Sequence, residues 1–100
     1  MARPIADSID IPTATTRVQI STAAEVVLSI TFKARTGNAG NAYVGDSTVA
    51  AAVGLELAPG EAITLNPSQV VARDTSVLLS DFYVDAATNG DDVDYIALVK

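Results

Sequence analysis

The sequence predicts an all-β protein, a small antiparallel β-sandwich or barrel of about seven strands with an extended N-terminal arm. Three observations predict it. Residues 26–35 place Val26, Leu28, Ile30, Phe32 and Ala34 on one side of an extended chain and Ser29, Thr31, Lys33 and Arg35 on the other, a period of two that belongs to a strand. Turn-forming clusters recur at close spacing, at 36–41, 58–61 and 89–91. Residues 1–16 show no helical period, and the dense turn signals elsewhere leave little room for helix.

Residues 1–16 carry Pro4, Pro12, scattered threonines and the isolated Ile5, Ile9 and Ile11, and read as an extended arm ahead of a β-domain spanning 17–100. Ordering about twelve residues costs on the order of 12 to 24 kcal/mol of backbone entropy, whereas three buried isoleucines return about 5 to 9. The arm is therefore expected to order only against a neighbouring subunit or shell by adding a strand to a sheet edge, and removal of residues 2–14 to leave the domain folded. In the alternative, Ile9 and Ile11 belong to a first strand of the same domain.

Residues 17–21 alternate, with Val18 and Ile20 on one side, and read as the first strand; residues 26–35 follow as the clearest one. The glycines and asparagines of 36–41 tolerate positive φ and turn the chain into a strand over 42–46. An alanine- and valine-rich connection, 47–54, leads through Leu55-Glu56-Leu57 to Ala58-Pro59-Gly60-Glu61, where proline second and glycine third favour a type II turn. Strands are expected at 62–65 and 77–86, with 69–75 left unassigned. After the turn at Asn89-Gly90-Asp91 the last strand has Val93, Tyr95, Ala97 and Val99 on one face and Ile96 and Leu98 on the other. A strand apolar on both faces is central, or lies at an interface.

Twelve acidic residues against six basic ones give a net charge of -6, which repels a phosphate backbone and argues against a nucleic-acid partner. No basic amphipathic segment exists to bind an anionic membrane, and no stretch is uniformly apolar enough to span one. The start lacks the apolar run of a secretion signal, so synthesis in a cytoplasm is expected. Without cysteine there is no disulfide framework, thiol nucleophile or iron–sulfur site. A mean hydropathy of +0.33 is high for a chain whose small core leaves most residues near the surface, and points to apolar surface facing a partner.

Catalytic chemistry finds little to work with. Gly45-Asp46-Ser47 is similar to the nucleophile block of one hydrolase family, but its serine needs a base and the chain has no histidine. An enzyme is not expected. Asn89, Asp91, Asp92 and Asp94 gather oxygens in one turn, yet lack the spacing and distal glutamate of an EF-hand, so a solvated hairpin is favoured over a calcium site. No phosphate loop occurs, and no cofactor is expected. Tyr43, Tyr83 and Tyr95 could stack on a glycan if they shared an exposed face, although sparse aromatics on strands are more often core or interface anchors.

The run Asn41-Ala42-Tyr43-Val44-Gly45-Asp46-Ser47-Thr48-Val49, followed by Gly54-Leu55-Glu56-Leu57-Ala58-Pro59-Gly60-Glu61, resembles a pattern of small phage virion β-sandwich proteins. In that group a strand ending Tyr-Val-Gly leads through a short loop to a Pro-Gly-Glu turn. Residues 81–87 and 93–97 resemble its last two strands, so the resemblance spans about 17–100. It implies a virion part: a head decoration or cement protein, a tail component, or a piece of a fibre.

The expected function is that of a capsid decoration protein on the outer face of a phage head, a homo-oligomer, trimer favoured, whose partner is the major capsid protein. The alternative is a tail or fibre module that binds a host surface glycan. Negative charge favours the capsid exterior over its DNA-facing interior. The candidate interface residues are Ile5, Ile9 and Ile11 in the arm and Val49, Ala50, Ala51, Ala52, Val53 and Leu55 around the loop, apolar where loops are usually polar. The other reading of the loop is that Val49 and Val53 cap the end of the sandwich.

Overall fold

The computed structural model describes residues 3–51, 53–66 and 77–100. Among these residues eight strands form two antiparallel sheets of four: β1 (Arg3–Ile11), β8 (Asp91–Val99), β3 (Val27–Ala34) and β6 (Ala62–Leu65) in one, β2 (Val18–Gln19), β7 (Tyr83–Ala86), β4 (Ala42–Gly45) and β5 (Leu55–Leu57) in the other. This is the expected small all-β sandwich. No helix among the described residues is long and apolar enough to cross a membrane.

The segment expected to be a free arm is instead an edge strand. β1 pairs with β8 without interruption from Arg3↔Val99 to Ile11↔Asp91, and Ile9 and Ile11 are buried in the core. Two contributions account for the difference: the ladder to β8 adds main-chain hydrogen bonds, and the core between the sheets provides the isoleucines with a burial site inside the domain itself. Asp7 faces the same side of β1 as these isoleucines yet remains exposed. A charge on the inward side, together with Pro4, which has no N–H to offer, makes this edge a poor template for a further strand.

The last strand is central, flanked by β1 and β3. Val93, Tyr95, Ala97 and Val99 point into the core and Ile96 and Leu98 point out. Phe32, fully buried, sits with its ring centroid 5.3 Å from Phe82 and 6.3 Å from Tyr95, tilted against both, the geometry that aromatic quadrupoles favour.

Local details follow the sequence in one place and depart from it in another. Glu61 N–H donates to the Ala58 carbonyl at 2.8 Å with Gly60 at φ 88°, which is the expected type II turn. The strand expected over 77–86 is shorter, because Leu79–Asp81 forms a single 3-10 turn. There the Asp81 carboxylate accepts the Leu78 N–H at 2.9 Å while the Asp81 N–H donates to the Leu78 carbonyl, a local closure that competes with pairing to a neighbour. The unassigned stretch 69–75 lies outside the described residues.

Candidate functional site

The apolar connection between β4 and β5 is a closed, internally bonded loop. Asp46 opens it: its Oδ1 accepts the Thr48 N–H at 2.8 Å and the Thr48 hydroxyl at 2.6 Å, and these bonds hold its carboxyl below the usual aspartate range. Ala50 and Val53 then exchange backbone hydrogen bonds of 3.0 Å in both directions. Gly54, at φ 115°, lets the chain return: a Cβ there would lie 2.7 Å from the Val44 carbonyl oxygen.

This closure divides the candidate interface residues. Val49 is fully buried beneath its own loop, beside Gly45 and Gly54 and outside the main core cluster. Val53 and Leu55 stand out instead, 49% and 42% exposed; Ala51 is exposed and Ala50 half-buried. Ala52 lies outside the described residues. Ile9 and Ile11 are buried in the core of the subunit itself, and Ile5 is half-buried against it.

A second apolar surface was not singled out from the sequence, although the two-faced apolar pattern of the last strand signalled it. On the outer side of the first sheet Ile96 and Leu98 are 52% and 45% exposed, with Ala6 and Pro4 opposite them on β1. Beyond Ile96 this face turns charged. Arg35 pairs with Asp94 at 2.8 Å and Asp92 at 3.3 Å, and the Ser8 hydroxyl bonds to both Arg35 and Asp94. Burial pushes the Asp94 carboxyl up, but the hydrogen bonds from Ser8 and Arg35 outweigh it and hold it below its ordinary range. Asp92 is shifted the other way, by burial and by Asp10 directly across the strand.

The acidic turn at 89–94 spends its oxygens separately. Asn89 accepts the Ala14 N–H at 2.7 Å, Asp92 and Asp94 face Arg35, and the buried Asp91 carboxylate accepts the Ala39 and Gly40 N–H groups at 3.0 Å each. Among the described residues no three potential metal ligands converge. Asp91 thus anchors the β3–β4 connection to the last hairpin. Asp91→Ala leaves two donors without an acceptor and is expected to cost about 1 to 3 kcal/mol, read as a lower denaturant midpoint at unchanged m-value.

Of the tyrosines, Tyr43 and Tyr95 are buried and Tyr83 is half-buried, so the three present no row of exposed rings. Burial, and then the nearby Asp7, push the Tyr95 hydroxyl above its usual value. Tyr43 and Asp85 are cross-strand partners on the outer side of the second sheet, where a cavity of about 390 Å³ is lined by them together with Thr15, Ala50 and Ala51. Sequence reasoning missed this cavity: residues 15, 43 and 85 meet only through the register of β4 and β7. Ser47, the candidate nucleophile position, is exposed in the loop.

Neither the protein-family models nor the curated proteins include a match to this chain.

Proposed function

We propose that the chain is a structural subunit of a virion, a capsid decoration or cement protein that assembles as a homo-oligomer, trimer favoured, on the outer face of a phage head and binds the major capsid protein there. One observation carries this reading: a single small domain exposes two separate apolar surfaces, Ile96 and Leu98 on the first sheet and Val53 and Leu55 at the edge of the second. Two such surfaces let a subunit hold its own copies and a shell at the same time, so that many weak contacts add by avidity. The net charge of -6 suits the exterior, away from packaged nucleic acid. A glycan-binding tail or fibre module has only the half-buried Tyr83 in its favour.

Val53→Asp is expected to weaken self-association by about 2 to 4 kcal/mol, a rise in Kd of about thirtyfold or more, measured by sedimentation equilibrium. Ile96→Asp is expected to reduce co-sedimentation with phage heads. Both positions are exposed in the single subunit, so the variants are expected to keep the native β-fold by circular dichroism. A concentration-independent monomer that also fails to co-sediment with heads overturns the proposal.

A further inference from the structure

β1 is joined to the other described strands only through residues 12–17, which carry the chain from the first sheet to the second. In this short connection local preference and observed conformation conflict. Pro12 favours extended backbone at Ile11 before it, and Thr13, Thr15 and Thr16 are β-branched residues that favour extended chain themselves. The chain instead bends tightly, with the Thr16 N–H donating to the Thr13 carbonyl at 3.2 Å. The strain falls on Thr15, the one non-glycine residue at positive φ among the described residues, at 66°, where a β-branched side chain crowds its own backbone. No burial offsets it: Thr15 is exposed, as are Pro12, Thr13, Thr16 and Arg17.

The described contacts of β1 are all ones that a second copy of the chain presents identically. They are the ladder to β8 from Arg3↔Val99 to Ile11↔Asp91, the ion pair of Arg3 with Glu25 at 2.6 Å, the Ser8 hydroxyl on Arg35 and Asp94, the Gly90 N–H on the Ile11 carbonyl at 2.8 Å, and the places of Ile9 and Ile11 in the core. A β1 transferred to a neighbouring copy keeps every one of them.

We propose that two copies of the chain exchange β1, each completing the first sheet of the other. In the exchanged dimer residues 12–17 run extended between the two domains and Thr15 returns to the β region that its side chain prefers. Extended, this hinge reaches about 20 Å, twice the spacing of about 10 Å between packed sheets, so the two domains can stand apart. Because the sheet contacts are the same in both forms, the balance is set by relief of strain at two hinges against the entropy of bringing two chains together. The entropic cost falls as the chain is concentrated, and the exchanged dimer is then the favoured form. Opening the hinge gives up the Ala14 N–H on the Asn89 side chain at 2.7 Å and the Thr15 N–H on the Ala86 carbonyl at 3.2 Å, and water takes over these donors in an exposed hinge. This route to self-association goes beyond the surface contacts of Val53 and Leu55 and does not depend on them.

The test refolds the full chain from guanidinium at low and high concentration and separates monomer from dimer by size exclusion. The chain has no cysteine, so Asp10→Cys combined with Asp92→Cys, directly opposite each other in the β1–β8 ladder and near enough for a disulfide, reports whose β1 lies on whose β8. After oxidation the dimer fraction is expected to run as a covalent dimer on a non-reducing denaturing gel, and the monomer fraction as an internally linked monomer. A dimer fraction that links only within chains, or no dimer at any concentration, overturns the exchange. Dimers mixed from isotopically labelled and unlabelled native chains decide the matter if the double variant does not fold: an isotope-filtered NMR contact between Ile9 and Val93, paired across the ladder, is expected between chains, and its absence overturns the exchange. Thr15→Gly, which is at ease at positive φ, is expected to raise the Kd of the exchanged dimer about tenfold or more, and an unchanged Kd overturns the hinge as its cause. Val53→Asp is expected to leave the exchanged fraction unchanged. A dimer that disappears with that substitution and links only within chains is held by its surface, which overturns the exchange while leaving the surface contacts standing.

Discussion

Deletion of residues 2–11 is expected to leave a chain with no cooperative unfolding transition. The deletion removes Ile9 and Ile11 from the core, worth about 1.5 to 3 kcal/mol each, and with them every rung of the β1–β8 ladder. It also turns β8, a central strand, into an edge whose inward row of Val93, Tyr95, Ala97 and Val99 loses its cover on one side. Domains of this size are stable by about 5 to 15 kcal/mol in total, so little or nothing is left over. Thermal scans followed by circular dichroism check this: a sharp transition within a few degrees of the native one would mean that β1 contributes an appendage and not a structural strand.

Phe32→Ala is the most damaging single substitution to expect. Phe32 is fully buried on β3 and touches the rings of Phe82 on one side and Tyr95 on the other, so truncation opens a void that strands from both sheets would have to collapse to fill. The cost is about 3 to 5 kcal/mol, a fall in melting temperature of about 12 to 40 °C for a domain of this length. Phe32→Leu, which retains most of the apolar volume, should lose distinctly less. Equal losses in the two variants would show that the aromatic contacts, and not the void, set the cost.

The sheets were legible where side-chain alternation and turn chemistry agreed. The Pro59-Gly60 turn into β6 and the alternation Ile30, Phe32, Ala34 of β3 carry their conformations in local residue types, and the structure reproduces them; a register shift between Val27 and Ser29 puts Val27, and not Val26 or Leu28, into the core. β1 was harder to read because Asp7 breaks the apolar row Ile5, Ile9, Ile11. On an edge strand that position tolerates a charge, but only the pairing with β8 identifies the strand as an edge. The loop after β4 was read as one apolar surface, whereas its own hydrogen bonds send Val49 inward and Val53 outward. Composition does not distinguish the two valines; the Ala50–Val53 closure and Gly54 do. The Tyr43–Asp85 cavity depends on a register between strands about forty residues apart, and no local signal encodes such a register.

The ladder between β1 and β8 has a consequence for how the protein comes into being. β1, which precedes the other described strands, has as its one neighbour among the described residues β8, which follows them all. β3 and β6 can pair while synthesis continues, but the centre of their sheet is missing until residues 91–99 emerge. Until then Ile9 and Ile11 have nowhere to go, and the nascent chain carries them exposed. The sheet is therefore completed only once residues 91–99 are made, by joining its two most distant strands, a closure that pays its entropy before any contact returns it. A chain truncated before residue 91 would lack that centre and is expected not to fold.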